Sequence, residues 1–182
     1  SGTARVEVDT PGGRYEIRLP ASSIDVKERE LAVEPVDLTN AGQRKDIEAV
    51  YRQRALRESG NLDRNDYIWG RIFTPKGEPP RAFRAGGDGG EGYVFMTKQP
   101  RETVWADFPL LDVVSVTPRA ARRLLSLLAD HKSLANEFIW HGSPNVPLLV
   151  NLREQPAQVR LKLQWMLRIV DVNGALVQRG WP

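Results

Sequence analysis

The stretch 165–182 constrains the fold more than any other part of this sequence. Met166, Leu167, Ile169 and Val170 surround a single Arg168, so the run is apolar on both faces, as in a strand covered on both sides. Backbone donors and acceptors in such a segment need strand neighbours, and no further strand-forming run follows it. The expectation is therefore a strand running into the start of a helix, whose other partners lie outside the 182 residues or come from a neighbouring copy. This sequence then reads as a piece of a larger protein, which the absence of an initiator Met and the presence of Ser1 and Gly2 at the front also suggest.

Composition bounds the class. With 41% hydrophobic and 27% charged residues, the chain has enough apolar material for a real core and the surface of a soluble globular protein. No run of about eighteen apolar residues is present, which argues against a membrane span. The absence of cysteine excludes disulfides and thiolate zinc sites, and fits a reducing compartment. A net charge of +3, from 26 basic residues interspersed with 23 acidic ones, describes a solvated surface, not a nucleic-acid footprint.

The order of elements follows from periodicity and punctuation. Val6, Val8 and the alternation over 14–19 flank Pro11, Gly12 and Gly13, which predicts a hairpin. A polar connector over 21–27 leads to a strand over 31–36. Thr39 or Asn40 caps a helix through Ile47, Val50, Tyr51 and Ala55, which Gly60 ends. Asp63, with Asp66 after it, opens a second helix through Trp69 and Phe73 that Pro75 closes. Residues 77–92, rich in Gly, Pro and charge, read as a mobile connection. Strands are expected over 93–98, 103–107 and 110–116. Thr117 and Pro118 then start a helix with Ala121, Leu124, Leu125 and Leu128 on one face. Strands over 138–140 and 148–152 and an alternating run over 159–163 complete the order β–α–α–β–β–β–α–β–β. That order indicates an α+β protein with a mixed sheet and helices on its faces.

Two segments, 59–69 (Ser-Gly-Asn-Leu-Asp-Arg-Asn-Asp-Tyr-Ile-Trp) and 164–182, with 112–118 and the leucine-rich helix between them, resemble in this order the multi-domain GNAT N-acetyltransferases of the "enhanced intracellular survival" type. The resemblance implies a GNAT-like fold, with a mainly antiparallel mixed sheet and flanking helices. It divides the chain into closing strands of a preceding GNAT domain (1–20), a second GNAT-like domain (21–158) and the start of a sterol-carrier-protein-like domain (159–182). It also implies a bacterial, cytoplasmic acetyltransferase whose co-substrate, acetyl-CoA, binds outside this chain. Its partners would be an amine-bearing small molecule or peptide acceptor and further copies of itself, with no nucleic acid and no membrane.

In that family the acyl-CoA pyrophosphate is held by backbone N–H groups of a Q/R-x-x-G-x-G/A loop at a helix N-terminus. Residues 84–89 (Arg-Ala-Gly-Gly-Asp-Gly) match the string, but they lead into a strand, and Asp88 and Glu91 would repel phosphate. They are expected to be a flexible loop only. The family's acid and base have no counterpart here, so no catalytic, cofactor-binding or metal residue is assigned.

The residues that remain as substrate-cleft candidates are Trp69, Trp165 and Asp171. Aromatic residues of the second and third domains wall the family's acceptor cleft, and such rings stack under cations. Asp171, an acid inside an apolar strand, is either a structural partner or an acid that attracts amines. Asp63 is a cap, worth about 1 kcal/mol. His131 at a helix end and His141 at a strand end have structural explanations. Serines without a base partner do not support a hydrolase triad. Two functions follow: the acceptor-side part of an N-acetyltransferase acting on primary amines, or a GNAT-like module used only for assembly or partner binding.

Overall fold

A computed structural model describes residues 13–57, 61–76, 79–87, 89–101, 105–164 and 170–178. They build an eight-stranded sheet of order β2–β3–β4–β6–β7–β1–β8, with β5 (Gln99–Pro100) attached to β6. The strands are β1 (Gly13–Pro20), β2 (Val33–Val36), β3 (Arg81–Ala85), β4 (Gly92–Met96), β6 (Ala106–Ser115), β7 (Ala135–Gly142) and β8 (Gln158–Gln164). All pairings are antiparallel except β6 with β7, the two strands that flank α3 (Pro118–Asp130). A parallel pair needs a crossover of this kind, and the leucine-rich helix supplies it.

Local chemistry explains each helix. Asn40 Oδ1 accepts from the N–H groups of Gly42 and Gln43 and starts α1 (Ala41–Ala55). Asn65, not Asp63, caps α2 (Asp66–Phe73), its Oδ1 accepting from Ile68 N at 3.1 Å. Either residue type suits that role, and the helix simply begins later than the acidic spacing predicts. Thr117 Oγ1 accepts from Ala120 N at the start of α3. Ser126, fully buried on α3, donates to Val26 O and accepts from Glu28 N, so the polar connector after β1 is tied onto the helix.

The core has two parts, one on each face of the sheet. Leu124, Leu125 and Leu128 of α3, with Leu148 and Leu149 of α4 (Pro147–Val150), pack on Ile17, Leu19, Val94, Met96, Leu110, Phe138 and Trp140. On the other face, α1 and α2 bring Ile47, Val50, Tyr51, Trp69 and Phe73 against Tyr93, Phe95 and Val114. β4 is buried at all five positions because helices cover it on both sides.

Several expectations are corrected. One arm of the predicted hairpin, residues 6–8, lies outside the described residues; the other, 14–19, falls within β1, which pairs with β7 on one edge and β8 on the other. The supposed connection 77–92 contains β3, a strand paired on both edges, which small residues disguise: Ala82 and Ala85 are its buried positions. The runs 103–107 and 110–116 are not two strands: β6 continues through Pro109, with 102–104 outside the described residues. A proline is tolerated there because irregular register marks this part of β6 on both sides. The apolar run 148–152 begins as α4 because Pro147 starts a helical turn, and short apolar runs do not distinguish helix from strand by periodicity.

At the end of the chain, 165–169 lie outside the described residues. Asp171 is not inside a strand. It is exposed and accepts from Gly174 N at 2.9 Å, at the start of α5 (Val172–Gln178). The sheet also includes Gly13–Pro20 and Gln158–Gln164, the segments that the family resemblance apportions to neighbouring domains.

Candidate functional site

Three places follow from the fold: the N-terminus of α3, the gap where β6 and β7 part, and a groove between α1 and the turn before α2.

The α3 N-terminus is where helix geometry gathers free N–H donors. Here they are largely spent. Pro118 has no N–H, Thr117 Oγ1 takes the N–H of Ala120, and the Thr117 carbonyl takes that of Ala121. The Thr117 hydroxyl in turn donates to Glu91 Oε2 at 2.6 Å, which sets a carboxylate beside this helix end. No glycine occurs over 115–121. The string 84–89 that matches a phosphate loop belongs to the β3–β4 hairpin instead. Gly86 (φ +94°) and Gly89 (φ +90°) sit in the left-handed region, and Glu91 N–H closes the turn on Ala85 O at 2.7 Å. A Cβ on Gly86 would lie 2.8 Å from Glu91 N, so the glycine serves the turn and not a ligand.

β6 pairs with β7 only as far as Pro109 opposite Ile139. Beyond that point 110–115 follows β4, while Trp140 to Gly142 stay with β1. A cleft of about 330 Å³ opens there, lined by Arg18, Glu16, Leu111, Ile139 and His141 among others. Its charges are layered. Glu16 accepts from Arg18 Nε at 3.0 Å and lies 3.3 Å from Lys162 Nζ. Arg18 also reaches Glu137 at 3.1 Å, and Arg101 holds Asp107 at 2.6 Å. The Arg18 hydrogen bond, then Lys162, holds the Glu16 carboxyl below the usual carboxylate range, although burial opposes this. Burial, reinforced by Arg14, pushes the His141 imidazole below its usual value and favours its neutral form.

The groove between α1 and the turn before α2 has a volume of about 770 Å³ and is lined by Lys45, Glu48, Tyr51, Arg52, Arg64 and Trp69 among others. Arg64 grips Asp112 through both nitrogens, at 2.5 and 3.0 Å, and Tyr93 Oη donates to the same carboxylate at 2.8 Å. Its guanidinium carbon lies 3.6 Å from the centre of the Tyr51 ring and 4.9 Å from that of Trp69. Burial opposes the Arg64 charge, but Asp112 more than offsets it, so the cation is strengthened. Burial, then the Asp112 charge, pushes the Tyr93 phenol well up.

Of the sequence-predicted residues, Trp69 lines this groove but is mostly core. It is 7% exposed, stacked on Phe73 and edge-on to Tyr51, with Arg64 over its ring. Asp171 lines neither of the two cavities, and Trp165 lies outside the described residues. Arg64, Asp112, Tyr93 and Glu16 were not predicted. Glu16 and Arg18 carried a signal, being charges on alternate positions of an otherwise apolar strand. Arg64 and Asp112 carried none, because 48 residues separate them.

An eight-stranded mixed sheet with one parallel pair around a capped helix defines a GNAT-type acyltransferase fold, and the chain belongs to the family of the acetyltransferase (GNAT) domain, whose model matches residues 60–169. Among solved structures, it is similar to a GCN5-related N-acetyltransferase from Anabaena variabilis, with 30% identity over 94% of this chain and 44% of that one, at a TM-score of 0.79. A probable N-acyltransferase from Enterococcus faecalis is 17% identical over 83% of this chain and 38% of its own, at 0.68. Eis1 from Mycobacterium abscessus is 17% identical over 91% of this chain and 44% of its own, at 0.64. The last two show the fold alone. The chain spans less than half the length of each of these relatives. No curated protein matches it. GNAT domains use acetyl-CoA as co-substrate. Among the described residues, no helix is long and apolar enough to cross a membrane.

Proposed function

We propose that this chain is the non-catalytic, acceptor-side portion of an acetyl-CoA-dependent N-acetyltransferase that modifies primary amines. In that reaction a deprotonated amine attacks the thioester carbonyl, a base removes the proton from the new ammonium, and an acid protonates the departing thiolate. Acetyl-CoA binds outside this chain, and the residues here help to wall the acceptor cleft. The divisions near residues 20 and 158 follow from the same family resemblance.

One observation carries the non-catalytic reading. At the helix end where this family places a pyrophosphate, α3 has Pro118 without an N–H, a donor already taken by Thr117, and the Glu91 carboxylate alongside. A polyphosphate there would lose donors and meet a like charge. Trp69, through the edge that lines the groove, the exposed Asp171 carboxylate and Trp165 are the residues proposed to wall the acceptor cleft. Titration calorimetry of acetyl-CoA into the chain should show no saturable binding. A one-to-one site in the micromolar range would overturn the assignment.

A further inference from the structure

We propose that the outer edge of β8 receives an extended segment in which apolar residues alternate with Glu or Asp, added to the sheet as a further strand. This interface is independent of the acetyl-transfer reading. β8 is an end strand of the sheet, and among the described residues only β1 pairs with it. One of its faces is apolar and uncovered: Val159, Leu161 and Leu163 are 41%, 42% and 59% exposed. On the adjacent strand, Tyr15 and Ile17, which oppose Leu161 and Val159, are 9% and 0% exposed. The helical cover therefore stops one strand short of the sheet's end.

The opposite face of β8 is basic. Arg160 donates to Gln158 Oε1 at 3.3 Å, and Lys162 shares Glu16 with Arg18. An unpaired strand edge attracts another strand through its backbone groups, and alternate side chains select which one. Here selection asks for apolar residues against Val159 and Leu161, and for carboxylates beside Arg160 and Lys162. A second copy of β8 does not meet this demand: in a two-fold antiparallel pairing its own Arg160 and Lys162 would face like charges, which is destabilising across strands.

The test uses the 182-residue chain and two fluorescein-labelled heptapeptides, Thr-Val-Glu-Val-Glu-Val-Thr and its analogue with lysine in place of glutamate. Fluorescence anisotropy should give saturable binding of the acidic peptide, at least tenfold tighter than the lysine peptide. Amide exchange over 158–164 should slow when the acidic peptide is bound. The double variant Arg160→Glu/Lys162→Glu should reverse the preference, and its binding of the lysine peptide itself reports that it is folded. Equal affinity for both peptides, or no binding of either, overturns the proposal. So does a dimer in sedimentation analysis that the acidic peptide dissociates, since the occupant would then be a second copy. Should the double variant fail to fold, the wild-type preference alone decides.

Discussion

Two ionic clusters lie on the same face of one sheet, and what covers them makes them different kinds of structure. Arg64, Asp112 and Tyr93 sit under α1 and α2, with side chains of the ion pair only 14% and 11% exposed and aromatic rings against the guanidinium. Around Glu16, among the described residues, the cleft is lined by strands. The carboxylates Glu16, Asp107 and Glu137 lie low against the strands, while Arg18, Arg101 and Lys162 reach over them at 32%, 42% and 48% exposure. In the first cluster, charge is locked in a poorly screened site, where each member is indispensable to the others. In the second, water competes for every pair, and the arrangement is a surface more than a bolt.

Removing Asp112 should have the largest effect. Asp112→Ala leaves the Arg64 cation without its counterion and is expected to cost about 3–5 kcal/mol in chemical denaturation. The double variant Asp112→Ala/Arg64→Met should recover part of that loss. If Asp112→Ala costs no more than a surface substitution, the contrast between the clusters collapses.

Acid should act on the open cluster first. Glu16 has a lowered folded-state value, so its contribution is present above the unfolded value near 4.5 and is lost as pH falls below it. His141 is also lowered, so the unfolded chain binds its proton more readily below about 6.5, and stability falls as pH drops through that window too. Both effects have the same sign. Stability measured from pH 7.5 to 4 should decline, and His141→Gln should flatten the upper part of that decline. A profile unchanged by the substitution would remove His141 from the account.

The smallest effect belongs to Lys162→Ala. With the ammonium half exposed and Arg18 still bound to Glu16, the expected cost is about 0–1 kcal/mol, shrinking further in high salt. A cost comparable to that of Asp112→Ala would mean the open cluster is as tightly coupled as the covered one.

The sequence disclosed elements whose chemistry is local. The Thr117 cap, the Pro118 start and the leucine stripe of α3 need no distant partner to be recognised, nor does Asn40 at the start of α1. It concealed whatever depends on pairing. β3 has alanines where a strand usually shows large apolar residues, and only its two neighbours make Ala82 and Ala85 core positions. Arg64 reads as a surface residue in a polar turn until the fold brings Asp112 to it. Trp69 was legible as a large ring near a cleft, but not that Arg64 and Phe73 already occupy its faces. Asp171 was read in a strand because the apolar run before it masks a cap, whose signature is a single bond to Gly174.

The place of β1 between β7 and β8 has a consequence for how the protein is made. Arg18 and Glu137, bonded across that sheet, are 119 residues apart. At translation rates of roughly 5–20 residues per second, β1 emerges on the order of ten seconds before β7 exists to receive it. During that interval Ile17 and Leu19, fully enclosed in the finished protein, lack the β7 partner that encloses them. β7 and β8 must close over this earlier-made strand late in folding, a large loop closure that slows the reaction and prolongs the exposure of a sticky strand. Such a chain has reason to need a chaperone at β1 even though its folded surface is charged.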